Sequence, residues 1–237
     1  MSLENRVVII TGANGATGRL AALKFAEAGA RLALVSRNLE HLQVMAEQLN
    51  LAENRILLQA ADLVDPQAAR NLAETVKQKF GGADVLLHLV GGWTGGKTVA
   101  EFDSSETEEM LAQHLWTTWH MAQAFTPLMA ENGWGRIIAI SSPLARHPTP
   151  KSAPYAIAKS AQETLLMTLA QELRGSGVTA NVLQVRTIDV QHERESQPTK
   201  QNASWTTPEE IVAAVLYLCS DQAQAVTGAR LPLYGGA

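Results

Sequence analysis

Tyr155 and Lys159 stand four residues apart in Pro154-Tyr155-Ala156-Ile157-Ala158-Lys159, within a stretch whose pattern predicts one long helix. Residues at that spacing share a helix face one turn apart, so the phenol and the ammonium point the same way. A positive charge held beside a phenol favours the phenolate and lowers a pKa that is ordinarily about 10. The pair could then give or take a proton near neutral pH, although Tyr-x-x-x-Lys also occurs on ordinary surface helices. Ser142, just past the preceding predicted strand, is a second hydroxyl able to reach the same place.

A different chemistry is written near the start of the chain. The apolar, β-branched run Arg6 to Ile10 leads into Thr11-Gly12-Ala13-Asn14-Gly15-Ala16-Thr17-Gly18 and then a helical pattern. Strand, glycine-rich turn and helix in that order form the opening of a dinucleotide-binding unit. Glycine lets the backbone turn tightly and approach a pyrophosphate, which the first N–H groups of the helix then face. The spacing here is G-x-x-G-x-x-G, so the strict fingerprint is absent, and a tight turn without a ligand is the alternative. A second predicted strand, Arg31 to Val35, closes on Ser36-Arg37-Asn38. A carboxylate at that place binds a ribose 2′-hydroxyl, whereas an arginine accommodates a 2′-phosphate. Ser36 and Arg37 therefore favour NADP(H) over NAD(H), with a solvated loop arginine as the alternative.

These residues need a scaffold that gathers them. Further strands are predicted at Ile56 to Ala60, Val85 to Val90, Arg136 to Ile140, Val178 to Val185 and Ala229 to Tyr234. Helices are expected at 38–49, 66–79, 104–130, 152–174 and 207–219, the fourth-strand helix 104–130 being continuous and apolar on several faces. Alternating strands and helices mean a parallel sheet covered on both faces, a three-layer, doubly wound Rossmann-type α/β domain of about seven strands spanning 1–237. Ligands of such sheets sit beyond the carboxyl ends of the strands. The glycine turn, Ser36-Arg37, Asp62, the second glycine-rich turn Gly91-Gly92-Trp93-Thr94-Gly95-Gly96, Ser142 and the loop after Val185 then share one edge. Asp62 can accept from an adenine amino group or cap the helix that begins near Asp65-Pro66.

Composition narrows the classes. Apolar residues make up 46% of the 237 and charged residues 18%, which fits a folded globular chain rather than a disordered one. The net charge of −4, without a basic tract, offers no nucleic-acid surface. No apolar run is long enough for a membrane span, no signal peptide is visible, and the single Cys219 fits a reducing compartment, so a cytoplasmic protein is expected. No metal site is expected: His114 and His120 fall on different helix faces without a partner at ligand spacing.

With these residues in place the whole chain resembles the short-chain dehydrogenase/reductase family. The resemblance is carried by Thr11-Gly12 to Gly18, Asp62, Val90-Gly91-Gly92, the set Ser142…Tyr155-x-x-x-Lys159, and the ending Val226-Thr227-Gly228…Tyr234-Gly235-Gly236. It implies hydride transfer between a nicotinamide and a carbonyl or alcohol carbon. Tyr155 would protonate the developing alkoxide, Ser142 would hydrogen-bond the substrate oxygen, and Lys159 would bind the nicotinamide ribose and lower the tyrosine pKa. It also implies cofactor contacts from Gly12, Asn14, Gly15, Ala16, Thr17, Gly18, Leu63, Val90, Gly91, Gly92 and Ile188. Four departures stand out. His88-Leu89-Val90-Gly91 replaces the family's Asn-Asn-Ala-Gly, and His114 stands where the family often has a catalytic asparagine. Val185-Arg186 replaces the expected Pro-Gly pair, and Val190 an expected threonine. His114 can donate and accept and so serve a proton relay titrating near pH 6.5, or it can simply pack.

Gly91 to Gly96, Trp116-Thr117 and Ser204-Trp205-Thr206-Thr207-Pro208 also resemble dihydropteridine reductases. That makes reduction of a quinonoid ring, stacked on Trp93 or Trp205, an alternative substrate reading. A dinucleotide-binding sensor or scaffold without turnover is the alternative from another class. Segment 189–206 is expected to be an irregular substrate lid. The apolar surplus on the helices at 104–130 and 152–174 points to a homo-oligomer, a tetramer before a dimer.

Overall fold

The computed structural model describes residues 3–235, so Gly236 of the closing motif lies outside the described residues. Seven strands form: β1 Val7–Thr11, β2 Arg31–Ser36, β3 Ile56–Ala60, β4 Val85–His88, β5 Gly135–Ser141, β6 Val178–Val185 and β7 Arg230–Leu233. All pair in parallel, in the order β3-β2-β1-β4-β5-β6-β7. The chain runs outward from β1 to β3, then crosses to β4 on the other side of β1. This reversal opens a crevice beyond the carboxyl ends of the central strands.

Strand alternation divides the core into two layers. Val7 and Ile9 of β1 pack on one face with α3 Pro66–Phe80, α5 Thr117–Glu131 and α6 Ala153–Glu172. Val8 and Ile10 pack on the other with α1 Ala16–Glu27, α2 Leu39–Leu49 and α8 Pro208–Leu218. Helix starts are marked by side chains that satisfy free N–H groups. Asn38 accepts from the His41 amide at the start of α2, and Asp65 from Gln67 ahead of Pro66 at α3. Asp65, not Asp62, is therefore the cap of α3. Thr207 and Glu210 form a reciprocal capping pair at α8.

Beyond shifts of a residue at strand ends, three differences from the sequence reading bear on the site. β4 ends at His88 instead of Val90. The polar stretch after β6 contains a short helix, α7 Glu193–Ser196, capped by the Asp189 carboxylate, which accepts from the amides of Glu193 and Arg194 at 2.8 and 2.9 Å. The helix expected to run unbroken over 104–130 is α4 Ser104–Leu111, a π-helical turn Ala112–Trp116, and α5. At the turn the Thr117 amide reaches back five residues to the Ala112 carbonyl. The hydroxyls of Thr117 and Thr118 bond the carbonyls of Gln113 and His114, at 2.6 and 2.5 Å. No glycine or proline marks the break; side-chain hydroxyls competing for backbone carbonyls stabilise it.

Candidate active site

The first glycine turn is built by steric need at two of its three glycines. Gly12 has φ +66°, and a Cβ at Gly18 would lie 2.6 Å from the Gly12 carbonyl oxygen. Gly15 is different: it precedes α1 without a side-chain cap, leaving the first N–H groups of that helix open. That is the arrangement an anion requires. Asn14 donates to the Ser36 hydroxyl at 2.7 Å, while its own buried carbonyl oxygen has no partner. Such an orphaned acceptor at the turn fits a ligand that brings a donor.

Two adjoining cavities run along the carboxyl edge. The outer one, about 440 Å³, is lined by Gly12, Asn14, Gly15, Ser36, Arg37, Asp62, Leu63, Val90 and Gly91. Arg37 is exposed and makes no hydrogen bond or ion pair among the described residues, and the Asp62 carboxylate accepts from the Val64 amide at 3.1 Å. The inner cavity, about 290 Å³, continues from Gly12, Gly15, Ala16, Thr17 and Gly18 to Gly91, Gly92, His114, Tyr155, Lys159 and Ile188. Together they form a trough from the end of β2 to the Tyr155 helix, of a shape that a dinucleotide can follow. Ser142 lies just beyond β5 and acts on the Tyr155 phenol through a side-chain hydrogen bond.

The ionisation states differ from the sequence expectation. Burial pushes the Tyr155 phenol up to about 12, opposed only by the bond from Ser142. Lys159 does not lower it: Nζ lies 5.8 Å from the tyrosine ring centre, and burial lowers the amine itself to about 7, against the attraction of Glu163. Charging a group taken out of water costs more here than a neighbour returns. Tyr155 is thus a phenol, a proton donor, across the neutral range.

His114 is buried against Gly91, where a Cβ would come within 2.4 Å of its ring. Its Nε2 lies 2.9 Å from the Gly92 carbonyl oxygen, which places the proton on Nε2 and leaves Nδ1 a bare acceptor without a partner. Its ring meets Tyr155 edge to face at 5.4 Å. Burial first, then the Lys159 charge, lower its pKa to about 3. The titration expected near pH 6.5 is therefore corrected: His114 stays neutral, and only its hydrogen bonding is available.

His88 joins the other departure residue to the same turn. The Thr117 proton goes to the Gln113 carbonyl, so Thr117 accepts from His88 Nε2–H at 3.1 Å. His88 Nδ1 then accepts from Thr11 at 2.9 Å. Burial, with the Lys159 charge second, lowers His88 to about 3. Neutral and fully bonded, it pins β1 and β4 to the π turn. His41 and Gln113, which the sequence reading did not single out, also line the outer cavity, as does Thr117. His41 was foreshadowed by its place one turn after Arg37; Gln113 was not, because the π turn sets its direction. Trp93 is 63% exposed and lies against Gly95, and neither it nor Trp205 lines the trough. Among the described residues no cluster of His, Cys, Asp and Glu could hold a metal, and no helix is long and apolar enough to cross a membrane.

Comparison with known proteins adds independent weight. A family model described as short chain dehydrogenase matches residues 6–201. D-beta-hydroxybutyrate dehydrogenase of Rhizobium meliloti is 28% identical, with 98% of each chain covered. An uncharacterized oxidoreductase of Mycobacterium tuberculosis is 30% identical, over 99% of this chain and 92% of its own. The crystal structure of a short chain dehydrogenase from Bacillus anthracis superposes with a TM-score of 0.86 at 27% identity, covering 98% of this chain and 96% of that one. The trough, the residues that line it and these likenesses agree: the chain belongs to the short-chain dehydrogenase family of NAD(P)(H)-dependent oxidoreductases.

Proposed function

We propose that this enzyme reduces the carbonyl carbon of a small molecule with NADP(H), Tyr155 acting as the general acid. One observation carries the reading: Tyr155 and Lys159 line the same cavity as the Gly12–Gly18 turn. The bound nicotinamide supplies the hydride. Tyr155 gives its phenolic proton to the oxygen on which negative charge develops, and Ser142 donates a hydrogen bond to that oxygen. Lys159 presents an N–H toward the ribose, and His114 holds the Gly92 backbone beside the reacting ring. Glycines 12, 15 and 18, with Ala16 and Thr17, hold the pyrophosphate on the open N–H groups of α1. Asn14 and Ser36 steady the turn, Asp62 and Leu63 border the adenine, and Val90, Gly91, Gly92 and Ile188 wall the nicotinamide end. Arg37 meets the 2′-phosphate.

The two directions should differ in their pH dependence. With a pKa near 12, Tyr155 is the acid that reduction needs, while oxidation needs its conjugate base. Reduction should be insensitive to tyrosine ionisation from pH 6 to beyond pH 9, and alcohol oxidation should rise about tenfold per pH unit over the upper part of that range. Initial rates in both directions across pH check this; an oxidation rate that levels off near neutrality contradicts it. A carbonyl and quinonoid panel, read by NADPH consumption, tests the activity itself. Silence toward every compound despite tight NADPH binding would favour the sensor. The position of Trp93 and Trp205 outside the trough gives the quinonoid reading no support.

Segment 189–206 is proposed as the substrate lid. Ile188 and Val190, at its start, line the nicotinamide end. Its bonds run chiefly within itself and to α8, where Arg194 pairs with Glu210 at 2.7 Å. Bound NADPH should slow hydrogen exchange across 189–206, and exchange unchanged by cofactor and substrate would remove the lid role. Oligomer formation is proposed from the same helices as before. Trp116 and Trp119 are each 46% exposed and Ile157 50%, more apolar surface than the interior hides. Light scattering should give a tetramer or dimer that Trp119→Glu dissociates; a wild-type monomer contradicts it.

A further inference from the structure

Lys159 is buried, and its ammonium has three N–H bonds to place. One goes to the Ile140 carbonyl at 2.8 Å and one to Gln162 Oε1 at 2.9 Å, which leaves one for the trough. An ammonium only donates, so the Gln162 atom facing it must be the oxygen. The Gln162 NH₂ then donates to Thr118 at 2.8 Å, and the Thr118 proton goes to the His114 carbonyl in the π turn. Gln162 is wholly buried, where an unbonded amide would be costly and an apolar side chain would pack without penalty. It lies seven residues after Tyr155 and three after Lys159, on the helix face that looks toward the site.

We propose that Gln162, held by Thr118, is a positioning residue: it ties Lys159 to the π turn and aims the one free N–H of the amine into the trough. The inference rests on Lys159 acting there, as proposed above. The charged and titratable groups around the amine are Glu163 and Tyr155 on its own helix, His88 from β4 and His114 from the π turn. Both histidines are neutral. Glu163 is committed to Arg230 at 2.6 Å, to Ser141 and to Gln184. Among the described side chains, Gln162 is thus the acceptor that the ammonium touches.

The test titrates Lys159 itself, by NMR of protein labelled with ¹³C at lysine Cε, in wild type, Gln162→Met, Gln162→Glu, Thr118→Val and Thr118→Ser. The wild-type midpoint is expected near 7. Gln162→Met and Thr118→Val should lower it and weaken NADPH binding measured by fluorescence. Gln162→Glu should raise it by about one unit or more, as a carboxylate replaces a dipole. Thr118→Ser, which keeps the hydroxyl, should restore the wild-type curve. A glutamine that only fills space would lower the melting temperature and leave the Lys159 titration unmoved; coincident curves for wild type, Gln162→Met and Gln162→Glu overturn the proposal. If Gln162→Met fails to fold, Gln162→Glu and Thr118→Val carry the same contrast. The titration needs no substrate, so it stands apart from the proposed reaction, which falls instead if Tyr155→Phe keeps full activity.

Discussion

Tyr155→Phe should lower carbonyl reduction by about 10²–10⁴-fold while leaving NADPH affinity close to wild type, the loss expected when a positioned general acid is removed. The phenylalanine ring keeps the edge-to-face contact with His114 and the shape of the trough, and deletes only the proton and the bond from Ser142. The loss should therefore fall on kcat with little change in KM for the cofactor. Steady-state rates and fluorescence binding on the same preparations separate these quantities. Unchanged turnover in the variant would remove Tyr155 as the acid.

Arg37→Ala should weaken NADPH by roughly ten- to hundredfold and NADH hardly at all, reversing or abolishing the proposed preference for the phosphorylated cofactor. The side chain lines the outer cavity and has no partner among the described residues, so its removal disturbs no contact described in the fold. A guanidinium offers a phosphate two parallel donors, an interaction that NADH cannot return. Dissociation constants for both dinucleotides, at fixed ionic strength, give the ratio. Equal losses for the two would refute the 2′-phosphate contact.

Much of the framework was legible from the sequence because it depends on local, periodic signals. The bounds of β3 and β6 agree residue for residue, and the turn at Gly12–Gly18 forms where strand and helix signals flank it. The carboxyl-edge rule then gathered Ser36, Arg37, Asp62 and Gly91 without any tertiary information. What escaped was set by the interior. The π turn has no glycine or proline to announce it; it exists because Thr117 and Thr118 reach back to Gln113 and His114, and because His88 and Gln162 hold those threonines. Spacing alone suggested that Lys159 acidifies Tyr155. Burial reverses the direction for the phenol, and how far a helix face is taken out of water depends on contacts distant in sequence. His114 shows the same lesson: a side chain read as a titrating relay is held neutral by its surroundings.

The proposed reaction requires a dinucleotide lying along the trough with its reactive ring at Tyr155. A crystal structure of the protein grown with NADP⁺ tests this most directly. The expected result places the 2′-phosphate on Arg37, the pyrophosphate at the start of α1, and the nicotinamide between Ile188 and Tyr155 beside Lys159. A dinucleotide bound elsewhere, or one whose nicotinamide turns away from Tyr155 and Ser142, would contradict it.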